Sequence, residues 1–204
     1  MLNYLIFGIS YAFAAAVQPG PLQTYIISQV FKKGWKASIP LAFSPIISDI
    51  PISILTLYLL SNVPDVFING LRIIGGLFLF FLAYKAYISW KTYIKDENNL
   101  SESNQLTFFN AVLINLLNPG PYIGWSLILG PLVLEAWSLA PKIGIALIFC
   151  FYSTMIITLI GIIILFAFAK ELGPKVSKSI IGISSIGLFM FGIYQLYRGV
   201  IFFI

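Results

Sequence analysis

Gln18-Pro19-Gly20-Pro21 interrupts the first long apolar run of the chain, and Asn118-Pro119-Gly120-Pro121 interrupts a later one, 100 residues further on. Proline has no backbone N–H and its ring clashes with the carbonyl four residues earlier, so each copy predicts a broken helix. In a bilayer, a broken helix is tolerated only where protein or a water-filled cavity satisfies the freed backbone groups. Two apolar segments interrupted at matching positions of two halves indicate a transporter's binding site. The simpler alternative is a pair of kinks that help the helices to pack.

The composition indicates an integral membrane protein. The chain has 204 residues, of which 59% are hydrophobic and 9% charged, with a mean hydropathy of +0.96. A soluble domain would be about a quarter charged. A membrane-spanning helix needs about 20 apolar residues, and the polar interruptions leave room for six. We predict an all-α fold with six transmembrane helices at residues 3–31, 38–61, 67–92, 107–134, 142–169 and 177–203.

Basic residues indicate how these spans are oriented. If the spans alternate in direction, nine lysines lie on the side of the first, third and fifth connections: Lys32, Lys33, Lys36, Lys85, Lys91, Lys95, Lys170, Lys175 and Lys178. The other side holds three basic residues, Arg72, Lys142 and Arg198. The positive-inside rule places the lysine-rich side in the cytoplasm and both termini outside. Since the +5 net charge follows membrane edges, no nucleic-acid partner is predicted. Because no charge precedes Lys32, we expect the first span to be retained rather than cleaved as a signal peptide.

Several chemistries are excluded by count. Cys150 is the single cysteine and the chain has no histidine, so intrachain disulfides, thiol relays and Cys/His metal sites are not predicted. No phosphate-binding Gly-x-x-x-x-Gly-Lys-Ser/Thr motif occurs, which argues against ATP as the energy source. We predict no cofactor, no metal site and no enzymatic activity. Proton chemistry would fall to a carboxylate.

Asp49 is the acid that lies far from any predicted membrane edge. It occupies the middle of the second span, between Pro45 and Pro51. A charged carboxylate at that depth costs several kcal/mol, so it is expected to be neutral, paired or facing water. We predict a proton-coupling role for Asp49. The alternative is a structural acid that hydrogen-bonds a neighbouring helix.

The chain also divides into two similar halves, 1–95 and 106–204, joined by a polar cytoplasmic linker at 96–105. Tyr194-Gln195-Leu196-Tyr197 resembles Tyr84-Lys85-Ala86-Tyr87, which supports the repeat. Three spans is an odd number, so the second half is predicted to be inverted, with a binding site between the halves near the midplane.

A small zwitterion would fit that site. Helix N-termini after each break favour a carboxylate, while an ammonium group could lie toward Asp49 or a freed carbonyl. In the fifth span, the hydroxyls of Tyr152, Ser153, Thr154 and Thr158 occupy the region that matches Asp49, although such groups often bond their own helix backbone. The predicted substrate-binding residues are Gln18, Pro19, Gly20, Pro21, Asn118, Pro119, Gly120, Pro121, Tyr122 and Ser153.

The duplicated motif and the acid after it resemble the lysine exporter (LysE) superfamily, in particular its homoserine/threonine exporter-like branch. The similarity includes Gly34, Ser48-Asp49, Gly75-Gly76 and Ala83-Tyr84-Lys85, and it covers essentially the whole chain. It implies a bacterial inner-membrane exporter of amino acids or related small metabolites, driven by proton exchange. It also allows a homodimer.

Three other functions are compatible with a six-span protein. A metal-ion transporter of the same superfamily would need several ligands at the midplane, where only Asp49 is predicted. A transmembrane redox carrier would need cysteine pairs. A non-transporting membrane scaffold would not need breaks at matched depth.

Overall fold

The computed structural model describes residues 2–58, 65–92 and 104–204, and all regular secondary structure in these ranges is helical. The predicted end of the second span, 59–61, lies outside the described residues. So does most of the predicted linker, residues 96–103; its last two residues, 104 and 105, already belong to a helix.

The first span consists of two helices. Helix α1 (Leu2–Val17) and helix α2 (Pro21–Lys33) meet at an angle of 61°. Pro19 and Pro21 have no N–H to donate to carbonyls of the last turn of α1, and the helix ends there. The break therefore falls at the first Pro-Gly-Pro motif.

The second span is a helix of mixed geometry. A short α3 (Trp35–Ser38) leads through a 3₁₀ turn (Ile39–Phe43) into α4 (Ser44–Tyr58). The 3₁₀ turn lies where Pro40 and Pro45 remove the hydrogen bonds of a regular α-helix. The Ser44 hydroxyl donates to the Leu41 carbonyl at 2.8 Å, the group that Pro45 leaves unpaired. The third span is the long helix α5 (Asp65–Lys91).

The second half begins with a helix too short to cross a bilayer, α6 (Asn104–Leu116). After the second motif come α7 (Pro119–Gly124), a π-helical turn (Trp125–Leu129) and α8 (Gly130–Leu139). The stretch 119–139 is by itself long and apolar enough to span, so the break lies nearer the start of the fourth segment than the predicted span 107–134 implied.

Two long helices complete the chain, α9 (Pro141–Glu171) and α10 (Pro174–Val200). The described residues thus contain five helical segments fit to cross a membrane, or six when the bent pair α1–α2 is one span. Large apolar side chains are exposed along the outside, as with Phe149 at 71% and Leu165 at 65%. This all-α, multi-pass architecture agrees with the prediction at that level.

Helices from different halves pack against one another. α5 packs along α10, α1 packs along α9, and α4 packs against α6. Glycine permits one of the closest approaches: a Cβ on Gly75 of α5 would lie 2.6 Å from the Leu117 carbonyl oxygen beside the second break. The two breaks and α4 come together at one cavity, where the candidate site lies.

Candidate functional site

A cavity of about 570 Å³ lies between the two breaks. Its wall includes residues of α1, α2, α4, α6, α7, α9 and α10, and it contains Asp49. Both motifs contribute to it. The predicted site residues on its wall are Gln18, Pro19, Gly20, Pro21, Asp49, Asn118, Gly120 and Pro121.

Asp49 is held by hydrogen bonds from the second half of the chain. Its side chain is 4% exposed. The Asn115 amide of α6 donates to Asp49 Oδ1 at 3.1 Å, and the Tyr152 hydroxyl of α9 donates to Oδ2 at 3.1 Å. Asn115 also donates to the Ser48 hydroxyl at 2.7 Å. Because both donors to Asp49 are neutral, its carboxylate is hydrogen-bonded without being neutralised by them.

The two breaks are stabilised by equivalent hydrogen bonds from different side chains. At the first break, the Gln23 amide donates to the Ala16 carbonyl at 3.1 Å. At the second, the Tyr122 hydroxyl donates to the Leu116 carbonyl at 3.0 Å. Ala16 and Leu116 are 100 residues apart, the same separation as the two Pro-Gly-Pro motifs. In both copies a side chain just after the break thus replaces the backbone donor that an unbroken helix would supply.

The second break carries an additional cap. The Asn118 side chain accepts a hydrogen bond from the Gly120 N–H at 3.1 Å, which is the usual role of asparagine at the start of a helix. The first break has no side-chain cap at α2. The amide side chain of Asn118 is therefore engaged with its own backbone, whereas Gln18 is exposed and lies on the cavity wall.

Two further polar groups lie in the cavity wall without a hydrogen-bond partner among the described residues. They are the buried indole N–H of Trp125 and the buried amide oxygen of Gln195. The Trp125 indole is close enough to act electrostatically on Asp49, although it makes no hydrogen bond of good geometry. An unpaired buried polar group costs about 1–3 kcal/mol, a cost that a ligand hydrogen-bonded to either group would offset.

Three predicted site residues are not on the wall of this cavity. Pro119 is buried at the start of α7. Tyr122 makes the hydrogen bond across the break and lines a different cavity. Ser153 is half-buried on α9, one residue after the tyrosine that reaches Asp49. Elsewhere on α9, Thr158 donates to its own helix at the Thr154 carbonyl, at 2.8 Å.

Sequence reasoning did not select several residues that the structure brings to the cavity, namely Tyr11, Gln23, Asn115, Trp125 and Gln195. It placed Tyr152 in the region of Asp49 but did not include it among the substrate-binding residues. Asn115 had a usable signal, since an amide within an apolar run needs a partner. Among the described residues, no group of three or more His, Cys, Asp or Glu side chains is arranged to hold a metal ion.

The fold and the cavity define a multi-pass membrane protein with a chamber between interrupted helices, whose largely apolar wall contains a few polar side chains and Asp49. The sequence model of the LysE type translocator family matches residues 13–199, and the chain belongs to this family. It is a family of transporters of amino acids or similar compounds, so the protein works in a bilayer on a small-molecule substrate. Comparison with curated proteins and with solved structures gives no significant match.

Proposed function

We propose that the protein is a proton-coupled secondary transporter that exports amino acids or related small zwitterions, with Asp49 as the proton carrier. The observation that carries this proposal is the central cavity, whose wall contains both Pro-Gly-Pro motifs and Asp49. Each of these features is costly in lipid. Their meeting at one chamber is what a substrate and proton site would require.

The cavity has the size for such a substrate, and its wall offers a helix start and a carboxylate. Its volume of about 570 Å³ falls in the range of small-molecule sites, about 300–1,000 Å³. Helix α2 begins at Pro21 on its wall, with an extended Gly20 before it. A substrate carboxylate would lie near this helix start, where backbone N–H groups and the helix dipole favour negative charge. The ammonium group would lie toward Asp49.

Protonation of Asp49 would change how the two halves are joined. As a carboxylate, Asp49 accepts hydrogen bonds from Asn115 and Tyr152, both in the second half. A protonated carboxyl group has one O–H that must donate, so at least one of these bonds would weaken or rearrange. Proton binding would thereby alter the contact between α4 and the helices α6 and α9.

Alternating access would follow from an inverted repeat. In such a repeat the first span corresponds to the fourth, and the fifth corresponds to the second. The first span packs against the fifth, and the fourth likewise packs against the second. The equivalent bonds at Ala16 and Leu116 further support the repeat. We also propose the orientation given by the lysine-rich side, a bacterial inner-membrane location, the homoserine/threonine exporter-like branch, export rather than import, and a homodimer. These last points rest on the charge pattern and the family resemblance.

The test is Asp49→Asn in proteoliposomes that contain a mixed amino-acid pool. The amide can keep the shape of the side chain, so the protein should fold, but it cannot carry a proton. We expect flux driven by a pH gradient to be lost. Glu171→Gln, which removes an exposed carboxylate at the end of α9, is the matched control and should transport normally. Full proton-coupled transport by folded Asp49→Asn would refute the role of Asp49.

A further inference from the structure

A second cavity, of about 500 Å³, lies at the end of the molecule where α5 begins and α10 ends. We call it the vestibule. Its charged residues are Asp65 and Arg72 of α5 and Arg198 of α10. Two guanidinium groups against one carboxylate leave a net positive charge of one.

The vestibule and the central cavity are separated by one helical segment. Gly120, Pro121, Gly124 and Trp125 line the central cavity. Tyr122, Ile123, Ser126 and Leu127 line the vestibule. At about 100° per residue these two sets lie on opposite faces of one helix. The segment that follows the second break is therefore a single-helix wall between the two spaces.

This wall can yield at both ends. At one end the chain is broken at Asn118, and at the other the helix passes into the π-helical turn Trp125–Leu129. π-Helical turns have fewer satisfied α-type bonds and are frequent at functional sites. The piece between them would have to rotate for the two cavities to connect. The wall thus separates the chambers, and the backbone is irregular at both of its ends.

Polar groups in the vestibule are positioned for an anion. Arg72 Nη1 donates to the Asn69 side-chain oxygen at 3.1 Å, and Asn69 is itself held by donation to the Asp65 carbonyl at 2.8 Å. This leaves the remaining N–H groups of the Arg72 fork available. The buried Ser126 hydroxyl, on the opposite wall, has no hydrogen-bond partner among the described residues. A carboxylate would match these donors, because guanidinium groups bind it through paired N–H groups.

We propose that the vestibule is a second, outer binding site for the carboxylate group of the transported molecule, reached after it passes the wall. This inference rests on the proposed function for its direction, since the vestibule is outside only in the predicted orientation. The ligand class is a small carboxylate-bearing solute. A lipid phosphate has similar chemistry and is separated from it by the experiment.

The experiment measures the charge preference of a cysteine in the vestibule. Ile123→Cys is made in a Cys150→Ser background and exposed, from outside the cell, to membrane-impermeant methanethiosulfonates bearing a sulfonate or a trimethylammonium group. A local potential of about one kT changes anion and cation concentrations oppositely, by about 2.7-fold each, so the sulfonate-to-ammonium rate ratio should exceed that of a free thiol in solution about sevenfold. Arg72→Gln with Arg198→Gln should remove this preference. Lys142→Gln, which removes an exposed charge on the same predicted side outside the vestibule, should not.

Acetate and methylammonium at equal ionic strength then test for binding. We expect acetate to slow the sulfonate reagent, in detergent and in phospholipid vesicles alike, and only with both arginines present. A rate ratio equal to that of a free thiol, no protection by acetate, or equal protection by methylammonium would overturn the proposal. Protection that is seen in detergent but lost in phospholipid would assign the site to a lipid headgroup and overturn it too. Labelling does not require transport, so this result is independent of the Asp49→Asn test.

Discussion

At the residue scale, the account depends on how one buried acid is held. Asp49 is 4% exposed, and its two donors come from helices α6 and α9 in the second half of the chain. Hydrogen bonds to charged groups contribute about 1.5–3 kcal/mol each. These bonds stabilise the carboxylate within the membrane. Because they require acceptor oxygens, protonation of Asp49 would change them.

Asn115→Ala should destabilise the protein. The substitution removes the donor to Asp49 and to Ser48 and leaves two buried acceptors short of a partner, at a cost of about 1–3 kcal/mol for each. We expect a lower midpoint of thermal unfolding in detergent. Ser53→Ala on the same helix as Asp49 is the control, because its exposed hydroxyl bonds only its own backbone. An unchanged midpoint for Asn115→Ala would show that this contact does not hold the halves together.

The sequence predicted which acid lies at depth but not which side chains reach it. Asp49 was identifiable from its distance to any charged edge. On α9, the pattern placed a cluster of hydroxyls near Asp49, and Ser153 was selected, whereas Tyr152 makes the bond. One residue turns a helix by about 100°, and α9 is apolar on all sides, so its sequence does not define which face is turned inward.

At the scale of the helices, each break is stabilised by a side-chain hydrogen bond across it. Proline placement predicted where the chain would break, because the missing N–H is a local property. The side chain that donates across the break depends on tertiary packing: it is Gln23 at the first break and Tyr122 at the second. The sequence does not reveal this bond, so it predicts Tyr122 as a substrate-binding residue. In the structure the Tyr122 hydroxyl donates to the Leu116 carbonyl instead.

Tyr122→Phe should weaken the second break. It keeps the ring, which packs edge-on against Phe67 with centroids 5.6 Å apart, and removes only the donor to Leu116. We expect a loss of about 1 kcal/mol, measured as a lower unfolding midpoint in detergent. Tyr197→Phe, at an exposed position of α10, provides the comparison and should be neutral. If both variants unfold at the wild-type temperature, the hydroxyl does not stabilise the break.

At the scale of the whole molecule, the all-α, multi-pass design was predictable from composition and from the lengths of apolar runs. The close approach of the two halves of the chain was not predictable in this way. Gly75, in the first half, allows α5 to meet the second break at Leu117. Small residues permit such contacts in membrane helices, but the glycine pattern does not name the partner.

Gly75→Ala should destabilise the protein, whereas Gly161→Ala should not. At Gly75 the new methyl group would lie 2.6 Å from a backbone oxygen, so the helices must separate, which should lower the free energy of unfolding by about 1–3 kcal/mol. At Gly161 nothing lies within 4 Å, and alanine should be neutral or stabilise the helix by up to about 1 kcal/mol. Unfolding midpoints of the two variants check this. A Gly75→Ala protein as stable as Gly161→Ala would mean that the halves are not in close contact there.

The central claim is that one chamber exchanges a small zwitterion for a proton through Asp49. The most direct measurement is the internal pH of proteoliposomes loaded with labelled amino acids and diluted into amino-acid-free buffer. We predict that the lumen acidifies as amino acids leave, and that Asp49→Asn abolishes this acidification. Efflux of labelled amino acids with no change of internal pH in the wild-type protein would contradict the claim.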